Sequence, residues 1–131
     1  MPQCRGYYRY PTVYHDAVVF VSEDDLWQVP RTGGIARRLT AGLAEASRPR
    51  FSPDGKTIAF VGKESGDQEI YIIPSDGGAL KRLTYLGASA TVQGWLNDHT
   101  VIFATNADQP FRSWYELWTV DISGTAPSPW T

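Results

Sequence analysis

Apolar residues in this chain gather in short runs separated by turn-forming segments, and no window carries a helical stripe long enough to compete. Val18-Val19-Phe20, Ile58-Ala59-Phe60 and Val101-Ile102-Phe103 each close on a phenylalanine. Each is followed by a second apolar segment, centred on Leu26-Trp27, Ile70-Tyr71 and Leu117-Trp118. The correspondence extends into the polar stretches. Arg37-Arg38-Leu39-Thr40 returns 44 residues later as Lys81-Arg82-Leu83-Thr84, and Gly33-Gly34 returns as Gly77-Gly78 at the same displacement. Phe51-Ser52-Pro53-Asp54-Gly55 has a looser counterpart in Trp95-Leu96-Asn97-Asp98-His99. The chain is therefore built from three repeats, at about 7–40, 47–84 and 91–131.

Each repeat reads as four short strands. In the second, the expected strands are Arg48–Ser52, Thr57–Gly62, Glu69–Pro74 and Leu80–Thr84. Ser52-Pro53-Asp54-Gly55 and Ser75-Asp76-Gly77-Gly78 suit tight turns, because Pro fixes φ and Gly tolerates conformations that a Cβ disfavours. Short connections of this kind make an antiparallel four-stranded meander. A unit of about 40 residues with four strands, repeated in tandem, is the mark of a β-propeller blade. The continuous apolar runs agree, since blade strands are covered on both faces by their neighbours. A β-sandwich with accidental self-similarity is the other architecture open to such strands. The expected fold is all-β, with residues 1–131 forming three blades, half of a six-bladed propeller.

Three blades do not close a ring, because propellers typically carry about 4–8. The first and last blades would each expose an apolar face that the repeat is built to cover. Either a longer polypeptide supplies the remaining blades, or two chains meet head to tail in a six-bladed ring. The sequence leaves both open and favours the second. In the third repeat, Trp118 aligned on Trp27 places Trp130-Thr131 on Leu39-Thr40. Its last strand carries Pro127 and Pro129, which cannot donate to a ladder and belong at an edge. If the ring closes between chains, Tyr7, Tyr8, Tyr10 and Trp130 lie on or near the surfaces that meet. The alternative is ordinary packing within the terminal blades.

Composition narrows the picture further. The 131 residues include 12 Gly, 9 Pro and an aromatic fraction of 13%, which suits aromatic strands punctuated by turns. With 12 Lys and Arg against 14 Asp and Glu, the net charge of −2 offers no basic excess for nucleic acid or an anionic membrane surface. No apolar run reaches the ~18 residues that span a bilayer, and Met1 to Gly6 is polar, with no secretion-type apolar core. A single cysteine, Cys4, can form neither an internal disulfide nor a structural zinc site. The expected location is the cytoplasm.

The repeat resembles the blade motif shared by the propellers of tricorn protease and the periplasmic Tol-system propeller protein. Phe51 to Thr84 carries that motif nearly whole: an aromatic-Ser-Pro-Asp-Gly turn, Ile-Ala-Phe, Ile-Tyr, Gly-Gly and Leu-Thr. The first repeat is similar to the opening of a tricorn protease, through Tyr10-Pro11-Thr12, Val18 to Trp27 and Gly33 to Thr40. The resemblance covers about residues 7–120. It implies the first half of a six-bladed N-terminal propeller that serves a large cytosolic serine peptidase as a channel or scaffold. In that family two propellers precede a PDZ-like domain and the catalytic domain. No position here matches a catalytic residue of the family, so this segment is expected to be non-catalytic, with peptides passing through it. The departures lie in the third repeat, where His99 replaces the turn glycine and the arginine pair is lost. The alternative drawn from the same motif is a free-standing protein-binding propeller of the Tol type.

The remaining residues offer little chemistry. His15 and His99 fall in turns without metal-ligand spacing, and there is no Gly-x-Ser-x-Gly elbow, so neither a metal site nor any cofactor is expected. Glu23-Asp24-Asp25 lacks the spacing of a calcium loop and reads as a solvated hairpin, with arginine partners close by. The two Gly pairs precede strands rather than helix N-termini, so turn geometry accounts for them better than a phosphate cradle does. Arg37, Arg38, Lys81 and Arg82 sit on outer strands, where charge discourages edge-to-edge pairing.

Overall fold

A computed structural model describes residues 9–41, 45–64, 66–111 and 114–130. The all-β expectation holds: twelve strands form three four-stranded antiparallel sheets, and the described residues contain no helix. Blade 1 runs β1 (Arg9–Tyr14), β2 (Ala17–Ser22), β3 (Asp25–Pro30) and β4 (Arg37–Arg38). Blade 2 follows as β5 (Ser47–Phe51), β6 (Thr57–Gly62), β7 (Glu69–Pro74) and β8 (Lys81–Arg82). Blade 3 comprises β9 (Ala90–Trp95), β10 (Thr100–Thr105), β11 (Glu116–Asp121) and β12 (Ser128–Pro129).

One cross-strand register recurs in all three. Phe20 pairs with Trp27, Phe60 with Tyr71 and Phe103 with Trp118. The outer strands repeat it as well, since Arg38 pairs with Trp27, Arg82 with Tyr71 and Pro129 with Trp118. They are shorter than the sequence suggests. The Leu26 and Ile70 amides, which further ladder rungs would use, donate instead to the Thr40 and Thr84 hydroxyls at 3.0 and 2.9 Å. The first strands each contain a bulge; in blades 1 and 2 it sits where Tyr10-Pro11 and Arg48-Pro49 place a positive-φ residue before a proline.

The sheets converge along these first strands. β1 contacts β5 and β5 contacts β9, while no comparable contact joins the outer strands of different blades among the described residues. Blade 2 lies in the middle, and its β6 and β7 are buried along nearly their whole length. That is why their sequences read as unbroken apolar runs.

Tight turns close the hairpins. The β2–β3 turn is formed by Glu23 and Asp24, both with positive φ (52° and 67°), the geometry of a two-residue turn that favours Asn-Gly. Holding two side-chain-bearing residues there costs about 1–2 kcal/mol each. Replacing the pair by Asn-Gly is expected to stabilise the chain by about 1 kcal/mol, seen as a raised midpoint in urea. The weak Arg9–Asp24 pair, 3.7 Å between exposed side chains, offsets little when lost.

Candidate functional site

Side chains alternate across each strand, so every blade has a face toward the blade before it and a face toward the blade after it. Between blades 1 and 2, the core is Val19, Val21 and Leu26 against Ile58, Phe60, Tyr71 and Ile73. Between blades 2 and 3 it is Ala59, Val61, Ile70 and Ile72 against Val101, Phe103, Trp118 and Val120. The face that looks back thus has one composition: a β-branched aliphatic, Phe, Tyr or Trp, and a second β-branched aliphatic. The face that looks forward is aliphatic at three of its four positions in blade 1, where Gln28 is the fourth, and at all four in blade 2.

Two further faces of these types stand at the ends of the described stack. By register, the backward face of blade 1 is Val18, Phe20, Trp27 and Val29, which keeps the composition without a change of type. The forward face of blade 3 is Ile102, Ala104, Leu117 and Thr119, in the register that Ala59, Val61, Ile70 and Ile72 occupy in blade 2. Val19, Val61 and Phe103, on covered faces, are 0–1% exposed, whereas Leu117 is 39% exposed. Phe111, Trp114 and Tyr115, carried on the β10–β11 connection, are also exposed, with Phe111 and Trp114 edge to face at 4.9 Å.

The covered seams are also tied by polar contacts. Gln28 of blade 1 donates to the Ser75 carbonyl at 3.0 Å, and Arg37 to the Asp76 carbonyl at 2.8 Å. Lys81 of blade 2 repeats the clamp on the Ile122 carbonyl of blade 3 at 2.8 Å. The outer-strand cations therefore grip the next blade, a role the sequence did not reveal. Tyr14 reaches over Gly55 of blade 2, so closely that a Cβ there would fall 2.0 Å from its ring. Trp95 donates its indole N–H to the Arg50 carbonyl across the second seam.

Two acidic residues start the third strands and point inward. Asp25 accepts from the Thr40 hydroxyl at 2.7 Å and faces Arg38 at 3.7 Å. Glu69, fully buried, accepts from Thr84 at 2.6 Å and from the Leu86 and Gly87 amides at 3.1 and 2.9 Å, with Arg82 at 3.4 Å. It thereby fixes the crossover from blade 2 to blade 3. Of the acidic triplet 23–25, then, Glu23 and Asp24 are exposed turn residues and Asp25 is a structural acceptor.

Of the residues expected at an assembly surface, Tyr7 and Tyr8 lie outside the described residues. Tyr10 is half-buried against the core between blades 1 and 2, with the Arg9 and Arg48 guanidinium groups over its ring at 5.6 and 5.1 Å. Trp130, 49% exposed, follows β12 and donates its amide to the Leu117 carbonyl, at the edge of the forward face of blade 3. Tyr10 and Trp130 sit on different blades and are not brought together. The residues that make the end faces, Phe20, Trp27, Ile102 and Leu117, had a signal in the repeat itself: they occupy the positions of buried Phe60, Tyr71, Ala59 and Ile70.

The groups that titrate unusually belong to the framework. Burial and a 3.1 Å hydrogen bond to Glu64 raise the Tyr71 phenol. Hydroxyl and backbone donors at Ser52 and Lys56 lower Asp54, and those of Ser123 lower Asp121. Because the Tyr71 pKa is raised in the folded chain, its contribution is whole below pH 10.0, the ordinary phenol value, and is lost as pH rises through the folded value. Tyr71→Phe is expected to flatten the loss of stability above pH 10 in a series of urea titrations. His15 and His99 both lie in turns, β1–β2 and β9–β10. A polar cleft of about 550 Å³ opens between blades 2 and 3, walled by Gly66 to Gln68, Leu86 to Ser89 and Asn106 to Gln109. Among the described residues, no three His, Cys, Asp or Glu side chains are grouped to hold a metal ion.

The chain matches the family described as the tricorn protease N-terminal beta propeller domain over residues 5–131. It is 36% identical over 123 residues to tricorn protease homolog 1 of Streptomyces coelicolor, covering 92% of this chain and 12% of that protein. It is also 36% identical over 124 residues to a putative tricorn-like protease N-terminal subunit of Sulfurisphaera tokodaii, covering 91% of this chain and 63% of that one. The crystal structure of the tricorn protease superimposes with a TM-score of 0.85 at 28% identity, over 95% of this chain and 13% of its own. A putative TolB from Agrobacterium tumefaciens shares the fold, with a TM-score of 0.81 at 22% identity over 98% of this chain and 47% of its own. The chain thus spans about an eighth of the full-length relatives and under two thirds of the shorter one.

Proposed function

The chain belongs to the family of tricorn protease N-terminal β-propeller domains, and from that membership we propose that it is a non-catalytic half-propeller serving a tricorn-like serine peptidase in the cytoplasm. It builds the wall of a passage for peptides, and bond cleavage takes place elsewhere. Two copies complete the ring of six blades. The observation that carries this reading is that both end faces of the blade stack have the composition of the faces buried between blades.

Light scattering coupled to gel filtration is expected to give a mass near 29 kDa, twice the 14.6 kDa of the chain. A mass of 14.6 kDa at every concentration tested rejects the two-copy ring. A peptidase assay on short fluorogenic peptides is expected to show no turnover by the purified chain; turnover that survives repurification rejects the non-catalytic reading.

A further inference from the structure

The first strands of the blades, along which the three sheets converge, carry a charge pattern unlike that of the chain as a whole. β1, β5 and β9 hold Arg9, Arg48 and Arg50 and no acidic residue, although the chain has 14 Asp and Glu against 12 Lys and Arg. All three arginines are exposed, Arg48 and Arg50 flanking buried Pro49. Arg9 and Arg48 lie over the same Tyr10 ring, at 5.6 and 5.1 Å. Arg48 and Arg50 also line a hollow of about 100 Å³, walled by Tyr10 and Pro11 of β1 and by Val92 of β9. That volume is the share of about three waters, enough for one carboxylate. Of the acids near these arginines, Asp24 pairs with Arg9 and Glu45 with Lys63, each at 3.7 Å. Among the described residues, no ion pair reaches Arg48 or Arg50.

The geometry points to a carboxylate-binding site at Arg48 and Arg50, with Arg9 beside it, that takes the acidic side chains of an extended peptide. This rests on the peptide-passage reading above and names the class of peptide favoured. Charge on an edge strand also deters pairing with another chain, but Lys or Glu would do that as well. Guanidinium groups do something more specific, because each offers a planar fork that takes a carboxylate through two hydrogen bonds. Arg48 and Arg50, without carboxylate partners, also concentrate positive potential where the sheets close in, and the low-dielectric walls of a cleft strengthen such a field. A peptide bearing carboxylates is thereby held, and one bearing lysines is repelled. Nucleic acid fits less well, because its affinity needs many neutralised phosphates and the chain carries a net charge of −2.

The probes are short rhodamine-labelled peptides with amidated C-termini, alternating alanine with glutamate, glutamine or lysine, read by fluorescence anisotropy on the full chain. The glutamate peptide is expected to bind at least about tenfold more tightly than the other two, the scale of one charge-assisted hydrogen bond, and to weaken as salt rises. Combining Arg48→Ala with Arg50→Ala is expected to abolish that preference, whereas Arg31→Ala, which removes an exposed cation after β3, is expected to keep it. Combining Arg48→Lys with Arg50→Lys should retain part of it, since the charge remains without the fork. The ranking of the three peptides by wild type needs no variant, so the test stands even where a substitution disturbs folding. Equal binding of all three by wild type overturns the carboxylate site and leaves the passage reading standing, as does a preference that the double alanine variant keeps. If no peptide of any charge binds, both readings fall. A thymidine oligonucleotide that binds more tightly than the glutamate peptide overturns the site in favour of nucleic acid.

Discussion

Glu69→Ala is expected to cost about 3–5 kcal/mol, the range for removing one partner of a buried ion pair. The carboxylate is fully buried and serves four groups: the Thr84 hydroxyl, the Leu86 and Gly87 amides and the Arg82 guanidinium. Alanine removes the acceptor of the buried Thr84 hydroxyl and of the two crossover amides, each of which then carries a desolvation cost, while Arg82 keeps its bond to the Thr84 carbonyl. Against a total stability of about 5–15 kcal/mol, that loss brings the chain close to unfolding at room temperature. Urea titration followed by tryptophan fluorescence measures it. Glu69→Gln should fall between wild type and alanine, since an amide oxygen still accepts while its NH₂ opposes a backbone donor. The counterpart Asp25→Ala should cost only about 1–2 kcal/mol, because its Arg38 partner is half exposed. Equal losses at the two sites would show that the crossover amides, bonded only by Glu69 among these pairs, contribute little.

This acid was legible in principle. Asp25 and Thr40, and Glu69 and Thr84, stand the same 15 residues apart, each with an arginine two residues before the threonine. What the repeat alignment displayed were residues that face one another inside a blade: the Phe–aromatic pairs, the glycine turns and the outer-strand Arg-x-Thr. Those depend on local register, and the structure returns them in place. Contacts between blades were harder to read, because the partner lies 39 to 47 residues away and is usually a backbone carbonyl with no side-chain signature. Hence Arg37 on the Asp76 carbonyl and Gln28 on the Ser75 carbonyl emerge only in the folded chain. The third blade was harder still. Its outer strand replaces the cation with Ser128, and its β10–β11 connection, with Phe111, Trp114 and Tyr115, has no counterpart in the other repeats. Tyr10 lies in the bulged part of β1, before Pro11, and packs against the first seam.

Phe60→Ala is expected to cost about 3–5 kcal/mol, the range for truncating a fully buried phenylalanine. Phe60 has no exposed surface, lies 5.8 Å from the Tyr71 ring and projects into the core between blades 1 and 2. Alanine removes the ring from the middle of that seam, and two stacked sheets can close over the void only by shifting together. Phe103→Ala, at the equivalent place in the second seam, should cost as much. Phe20 occupies the same repeat position, pairs with Trp27 in the same register, and is only half-buried. Phe20→Ala should therefore cost about 1–2 kcal/mol at dilutions where the chain is monomeric, in proportion to the smaller area it buries. The three substitutions delete the same ring from the same place in a blade, and differ only in what lies over it. If the Phe20 loss grows toward the Phe60 value as protein concentration rises, another copy packs against this face. A Phe20 loss that equals the Phe60 loss at high dilution would mean that blade 1 already has its cover within a single chain.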